Sequence, residues 1–361
     1  MIGTHPRLNR RAFVGGTLAA VAAAMTPSTH AAPPSDDLIF SSVMSLSKAI
    51  RAKKVSSEEV VRAYLNRIAK VNPKIIAVVT LVADRALEEA RRADAELVRG
   101  KVRGILHGVP MTIKDSLDTA GVVTTAGTMG RKSFVPKRDA TVVARLRAAG
   151  AILLGKTNTP EFTMSYDTRN LLFGMTKNPY DLNKSPGGSS GGAAAAIAAG
   201  ASPFDIGSDT GGSIRVPSCL SGVAGIKPTT GRMPLTGHII HNGQGLIDSL
   251  TQVGPIARFV DDLYPLLRIT AGPDGKDPCV VPMPLKHPLA VNLKKLRVAF
   301  HTDNGILAAD DDVKRTVELA AKSLLDVCAS VEQSCPKVLA GLIEYWDFPH
   351  AADGHEWIKR L

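Results

Sequence analysis

Aromatic residues make up only 4% of this 361-residue chain, and it has four cysteines and no long apolar run. The aromatic scarcity does not prevent a large core. Hydrophobic residues are 44% of the chain, so the interior must be built mainly from aliphatic and alanine side chains. Cys219, Cys279, Cys328 and Cys335 form no Cys-x-x-Cys pair, and the nine histidines form no His-x-x-x-His pair. These absences leave a metal site without positive support. Cys328 and Cys335 are a candidate disulfide in an oxidising compartment, but spacing does not establish that they meet. There is no internal repeat and no low-complexity linker, and the Pro/Lys-rich patch from Gly272 to Lys294 reads as a long surface loop.

The first residues read as a targeting segment. Arg10-Arg11-Ala12-Phe13-Val14 precedes an apolar run from Gly15 to Met25, then the small-residue pattern Thr29-His30-Ala31. The run is too short to span a bilayer comfortably, so no stable membrane anchor is expected. Paired arginines before Ala-Phe-Val resemble a twin-arginine signal, which predicts a leader over 1–31 and an exported, periplasmic or secreted protein. The formal charge is +11, and loss of Arg7, Arg10 and Arg11 leaves +8. The other basic residues are dispersed among acidic ones, without interleaved aromatics, so nucleic-acid binding is not expected.

Helices and short buried strands alternate along the rest. Ser56 and Glu59 have capping-box spacing, and Val60, Val61, Tyr64, Leu65 and Ile68 form an apolar stripe at helical period. Asn72-Pro73 is expected to end that helix. A second, charged helix is predicted over Ala83 to Val98, with Gly100 as its stop. Ala77 to Leu81 and Val109 to Ile113 read as strands. Asp139-Ala140-Thr141 opens a helix that stops at Gly150, followed by a strand from Ala151 to Leu154. Ser190 to Ala199 reads as a tightly packed small-residue helix. The pattern implies an α/β protein whose central sheet is covered by helices on both faces, a class shared by many unrelated enzymes.

Two glycine-flanked serines carry the chemistry. Ser213 follows Asp209-Thr210-Gly211-Gly212, where paired glycines permit a sharp turn with amides facing one space, as an oxyanion site needs. Ser189 and Ser190 lie in Gly187-Gly188-Ser189-Ser190-Gly191-Gly192, just before the Ala-rich helix. A helix cap or a flexible linker are the plain readings. A phosphate loop is excluded because no Gly-Lys-Ser/Thr ending follows. Gly187-x-Ser189-x-Gly191 also fits a nucleophile elbow, but Asn178 to Pro186 before it is loop chemistry, which disfavours that reading. Lys114 ends the apolar stretch Gly108 to Ile113. A free lysine with a pKa of about 10.4 is no base at neutral pH, whereas burial can make it one.

Taken together, Gly108-Val-Pro-Met-Thr-Ile-Lys-Asp115, Leu154-Gly-Lys-Thr-Asn-Thr-Pro-Glu161, Phe173-Gly174, Asn178-Pro179 and Pro186 through Pro228 resemble the amidase signature hydrolases. The resemblance runs from about Leu46 to the C-terminus. It implies a mostly mixed central sheet, an amidase domain over 35–361, a small-molecule amide substrate and no cofactor. It further implies Ser213 as nucleophile, Ser189 as a bridging serine on a cis peptide after Gly188, and Lys114 as base. The amides of Thr210, Gly211, Gly212 and Ser213 would form the oxyanion hole. Asp209 and Arg215 would support that loop, and Ser190 would hydrogen-bond Lys114. Thr163, Met164 and Ser165, with Tyr166, would line the acyl pocket.

Members of that family usually continue beyond the position of Leu361, and the segment from Leu342 resembles a mid-chain helix, so the C-terminal part of the family domain is expected to be missing. Two other readings stay open: a catalytically silent amidase fragment, and a Ser-His-Asp esterase using Ser189 with His301 or His350.

Overall fold

The computed structural model describes residues 38–241 and 246–342. The proposed leader over 1–31 and His350 lie outside the described residues. The first helices are α1 (Val43–Arg51) and α2 (Ser57–Ile75). At the start of α2 the Ser56 hydroxyl accepts from the Glu59 amide at 3.1 Å, and the Glu59 carboxylate accepts from the Ser56 amide at 2.8 Å. This is the reciprocal cap that the spacing predicted. The helix runs past Pro73, contrary to the expected stop. Pro73 sits in the last turn, where it removes one hydrogen bond. Ile76 then closes the helix in the left-handed region at φ 50°, and the Asn72 side chain accepts from the amides of Ala77 and Val78.

The mixed part of the sheet comprises β1 (Val78–Leu81), β2 (Pro110–Lys114) and β3 (Ile152–Thr157), in the order β1-β3-β2. Strand β1 is antiparallel to β3, and β2 is parallel to it. Between them lie α3 (Ala83–Val98) and α4 (Thr141–Ala148). No side chain caps α4. Asp139 instead accepts from the Ala120 amide at 2.7 Å and pairs with Arg147 at 3.2 Å.

After the hairpin of β4 (Arg169–Asn170) and β5 (Gly174–Met175) come α5 (Gly191–Ala198), β6 (Phe204–Asp209) and α6 (Arg215–Leu220). Strands β7 (Ala224–Gly225) and β8 (Gln252–Ala257) complete an antiparallel set in the order β6-β8-β7. Strand β6 lies beside β2, where the two sets meet. Every residue of β2, β3, β6 and β8 is buried, so both faces are covered. The helix α7 (Val260–Thr270) packs on α4 and β8. Helix α5 is buried from Gly191 to Ile197. Its small residues allow near contact: a Cβ on Gly192 would fall 2.4 Å from the Asn158 amide nitrogen at the end of β3. That approach carries Ser189 and Ser190, at the head of α5, against the C-terminal end of β2.

Residues 271–296 form the anticipated loop, with only short turns at Pro288–Ala290 and Leu293–Lys295. Beyond it, β9 (Arg297–Phe300) pairs in parallel with β10 (Ser330–Gln333) across α8 (Asp311–Leu324). Cys328 and Cys335 are free thiols, against the candidate disulfide. They flank β10, and an extended strand rises about 3.3 Å per residue, which holds the two ends apart. Among the described residues, no helix is long and apolar enough to cross a membrane.

Candidate active site

The end of β2 places Lys114 wholly inside the protein. Its Nζ lies 2.6 Å from Ser189 Oγ, 3.0 Å from Ser190 Oγ and 2.9 Å from Ser208 Oγ. Three neutral hydroxyls surround the amine, with no carboxylate in contact. Burial therefore dominates and lowers its pKa to about 7, against the raising pull of Asp209 and Asp205. The Gly188–Ser189 peptide is cis, as the resemblance implied. Gly188 is required there for space, because a Cβ would fall 2.7 Å from Ser165 O and 2.8 Å from the Tyr166 carbonyl carbon. Ser190 occupies the N-cap position of α5 but caps nothing with its side chain; the hydroxyl turns to Lys114 instead.

Ser213 is 9% exposed and sits where the turn after β6 meets α6. Its carbonyl accepts from the Ser190 amide at 3.1 Å, which ties this turn to the head of α5. The Ser213 hydroxyl makes no hydrogen bond among the described residues. Asp209 organises the turn. Its carboxylate accepts from the amides of Gly212 (2.7 Å), Ile214 (3.0 Å) and Arg215 (3.3 Å), and from the Arg215 guanidinium. Burial alone would raise this carboxyl; the Arg215 bonds and the amides outweigh it and hold it below the ordinary range.

Of the four amides expected to form an oxyanion hole, that of Gly212 donates to Asp209. Thr163 is half-buried, and Met164 and Ser165 are exposed. Ser165 and Tyr166 run over Gly188, and the Tyr166 hydroxyl donates to Gly211 O at 2.9 Å.

Among the described residues the esterase arrangement is not assembled. Among the described residues no strand leads directly into Gly187, so the strand–turn–helix elbow is missing. Ser189 is bonded to Lys114, and among the described residues His301, just after β9, makes no bond to any of the serines. His238 is buried, with its Nδ1 on Ile240 O at 2.8 Å. Among the described residues no cluster of His, Cys, Asp and Glu is placed to hold a metal ion.

Three buried polar residues escaped the sequence reading: Ser208, Lys156 and Asp205. Lys156 lies at the end of β3 as Lys114 lies at the end of β2, so the signal that singled out Lys114 applied equally to it. Ser208 and Asp205 lie in β6, where buried polar residues interrupt the apolar pattern that marks a strand.

The Amidase family model matches residues 59–355. The chain belongs to the amidase signature family. It is 41% identical over 315 residues to a glutamyl-tRNA(Gln) amidotransferase subunit from Acidothermus cellulolyticus, covering 86% of this chain and 61% of that one. Among solved structures, a fatty acid amide hydrolase superposes with a TM-score of 0.83 at 28% identity, over 91% of this chain and 58% of that one. A bacterial aryl acylamidase of the amidase signature family superposes with a TM-score of 0.76 at 28% identity, over 82% and 61% respectively. This amidase-family chain thus spans about three fifths of the length of the relatives it matches.

Proposed function

We propose that this chain hydrolyses an amide to a carboxylic acid and ammonia or an amine, with Ser213 as nucleophile, Ser189 as proton bridge and Lys114 as base. The observation that carries this reading is the fully buried Lys114 amine, 2.6 Å from Ser189 Oγ and lowered to about 7 by burial. At neutral pH such an amine is neutral in a substantial fraction of molecules and able to accept a proton.

In this scheme the Ser213 hydroxyl turns toward Ser189 and attacks the carbonyl carbon as its proton passes through Ser189 to Lys114. The carbonyl π bond opens, and the oxyanion is held by the amides of Thr210, Gly211 and Ser213, each well-placed donor contributing about 3 kcal/mol. The proton returns through Ser189 to the nitrogen as the C–N bond breaks. Water then cleaves the ester by the same relay, releasing the acid and restoring Ser213. Asp209 and Arg215 hold the turn, Ser190 and Ser208 hold Lys114, and Thr163, Met164, Ser165 and Tyr166 border the acyl group. The scheme calls on no cofactor.

The direct test is ammonia or amine release from simple aliphatic and aryl amides by the full chain. Turnover that disappears in Ser213→Ala supports hydrolysis. A folded chain without turnover on any of them supports the silent-fragment reading. A second reading, one component of an amidotransferase, is favoured by the 41% identity to such a protein. Turnover by the isolated chain argues for the free hydrolase over that reading.

Export is part of the proposal, supported by the arginine pair and the short apolar run of the first 31 residues. A mature N-terminus after Ala31 in an exported fraction is the expected finding. An uncleaved cytoplasmic chain contradicts it.

A further inference from the structure

Beneath Lys114 lies a carboxylate that the hydrolytic scheme does not use. Asp205 is fully buried in β6. Its Oδ2 accepts from Thr112 Oγ1 of β2 at 2.6 Å and from Thr157 Oγ1 of β3 at 3.0 Å. Its Oδ1 has no partner among the described residues, and no cation is within ion-pair distance. Burial pushes its carboxyl up to about 6, against the lowering effect of the two threonine hydroxyls and Lys156. A buried carboxylate with half its hydrogen-bonding capacity unmet is costly, and an apolar residue of similar size would pack there at less expense.

Two buried amines respond to that charge. Lys156 donates to Leu117 O and to Thr119 Oγ1, and burial lowers it to about 8, opposed by Asp115 and then Asp205. Lys114 is opposed in its fall by Asp209 and then Asp205. The two carboxylates facing Lys114 differ in how they are neutralised. Asp209 is answered by the Arg215 guanidinium and three amides, whereas Asp205 has two hydroxyls and the backbone amide of Lys114 itself, with no guanidinium. His238 also lies in the field of Lys114 and is itself held at about 3 by burial, so it is neutral across the working range. The strands beside β2 thus present Asp205 and Asp209 from β6 and Lys156 from β3, with Asp115 following the strand; α5 carries no ionisable residue, and the buried ionisable side chain of α2, which also packs on β2, is Tyr64, held neutral by burial.

We propose that Asp205 is a positioning residue for the reaction, a carboxylate slung from Thr112 and Thr157 whose charge sets the protonation of Lys114 and so the pH range in which the serine relay runs. This rests on the assignment of Lys114 as base. The charge keeps the amine from becoming too weak a base, because general-base efficiency needs a pKa near the operating pH. The threonine hydroxyls favour the ionised carboxylate, so they act on Lys114 through Asp205.

The test reads Lys114 itself. The full chain is labelled with [13Cε]-lysine, the Lys114 resonance is assigned with Lys114→Met, and its titration midpoint is followed in wild type and Asp205→Asn. In parallel, the rate of Ser213 labelling by a fluorophosphonate is measured against pH. Asparagine is close in shape, and removing the negative charge is expected to move both midpoints about one pH unit lower. Thr157→Val, which withdraws a donor from the carboxylate, is expected to move them in the same direction by less. Unmoved midpoints in a folded Asp205→Asn protein overturn the proposal, even where labelling falls uniformly. If Asp205→Asn does not fold, an unmoved midpoint in Thr157→Val overturns it. A shifted Lys114 resonance in a chain whose Ser213 never labels supports the electrostatic link and refutes the hydrolytic assignment instead.

Discussion

Asp209 and Arg215 meet through a two-pronged ion pair, with Nε 3.0 Å from Oδ2 and Nη2 2.9 Å from Oδ1. The acid is buried, whereas the arginine side chain is 55% exposed. The two partners are therefore unequal. Replacing Arg215 by Ala leaves the carboxylate with its three amide donors, at a cost of about 1–2 kcal/mol. Asp209→Ala strands those amides and the guanidinium together and is expected to cost about 3 kcal/mol or more. Urea unfolding of both variants measures the difference. The sign with pH follows from the lowered carboxyl of Asp209: its contribution is present above the unfolded carboxylate range and is lost as pH falls through the folded value. In Arg215→Ala that loss begins at higher pH.

Lys114 sets opposing demands on stability and activity. Its folded pKa of about 7 lies below the ordinary 10.5. Between those values the unfolded chain binds more protons, so this group makes stability rise with pH. Lys114→Met removes the buried amine and is expected to raise Tm by about 2–4 °C while abolishing Ser213 labelling. In wild type, labelling rises with pH through about 7 as the amine becomes neutral. Lys114→Arg, charged at every accessible pH, is expected to be inactive throughout.

Gly188 offers a steric test. Its missing side chain leaves room for the backbone of Ser165, Tyr166 and Asp167, all within 2.9 Å of where a Cβ would stand. None of these is a flexible side-chain tip, so Gly188→Ala must displace Ser189 or the rim segment. A loss of about 100-fold or more in labelling rate is expected, since a misplacement near 1 Å costs that much. Gly130→Ala meets only Thr128 Oγ1 at 3.9 Å and is expected to label like wild type.

Much of this was legible in the sequence where local chemistry and tertiary structure agree. The Ser56–Glu59 cap, the charged helix over Ala83–Val98 and a strand over Val109–Ile113, found at Pro110–Lys114, follow from spacing and period alone. The family motifs also named the serines and lysine that the fold brings together. What stayed hidden depends on contacts distant in sequence. Pro73 is tolerated because it falls in the last turn, and the chain turns out of the helix as Asn72 accepts from the amides of Ala77 and Val78. The Gly212 amide is taken up because Asp209 turns back onto its own loop. Asp205 is invisible as a charge centre until β2, β3 and β6 are side by side.

The central claim is that Lys114 activates Ser213 through Ser189. The most direct measurement is reaction of the full chain with a fluorophosphonate probe, followed by peptide mass spectrometry to locate the adduct. The account predicts the adduct on Ser213 in wild type and none in Lys114→Ala. An adduct on Ser189, or a Ser213 adduct that forms equally fast without Lys114, would contradict it.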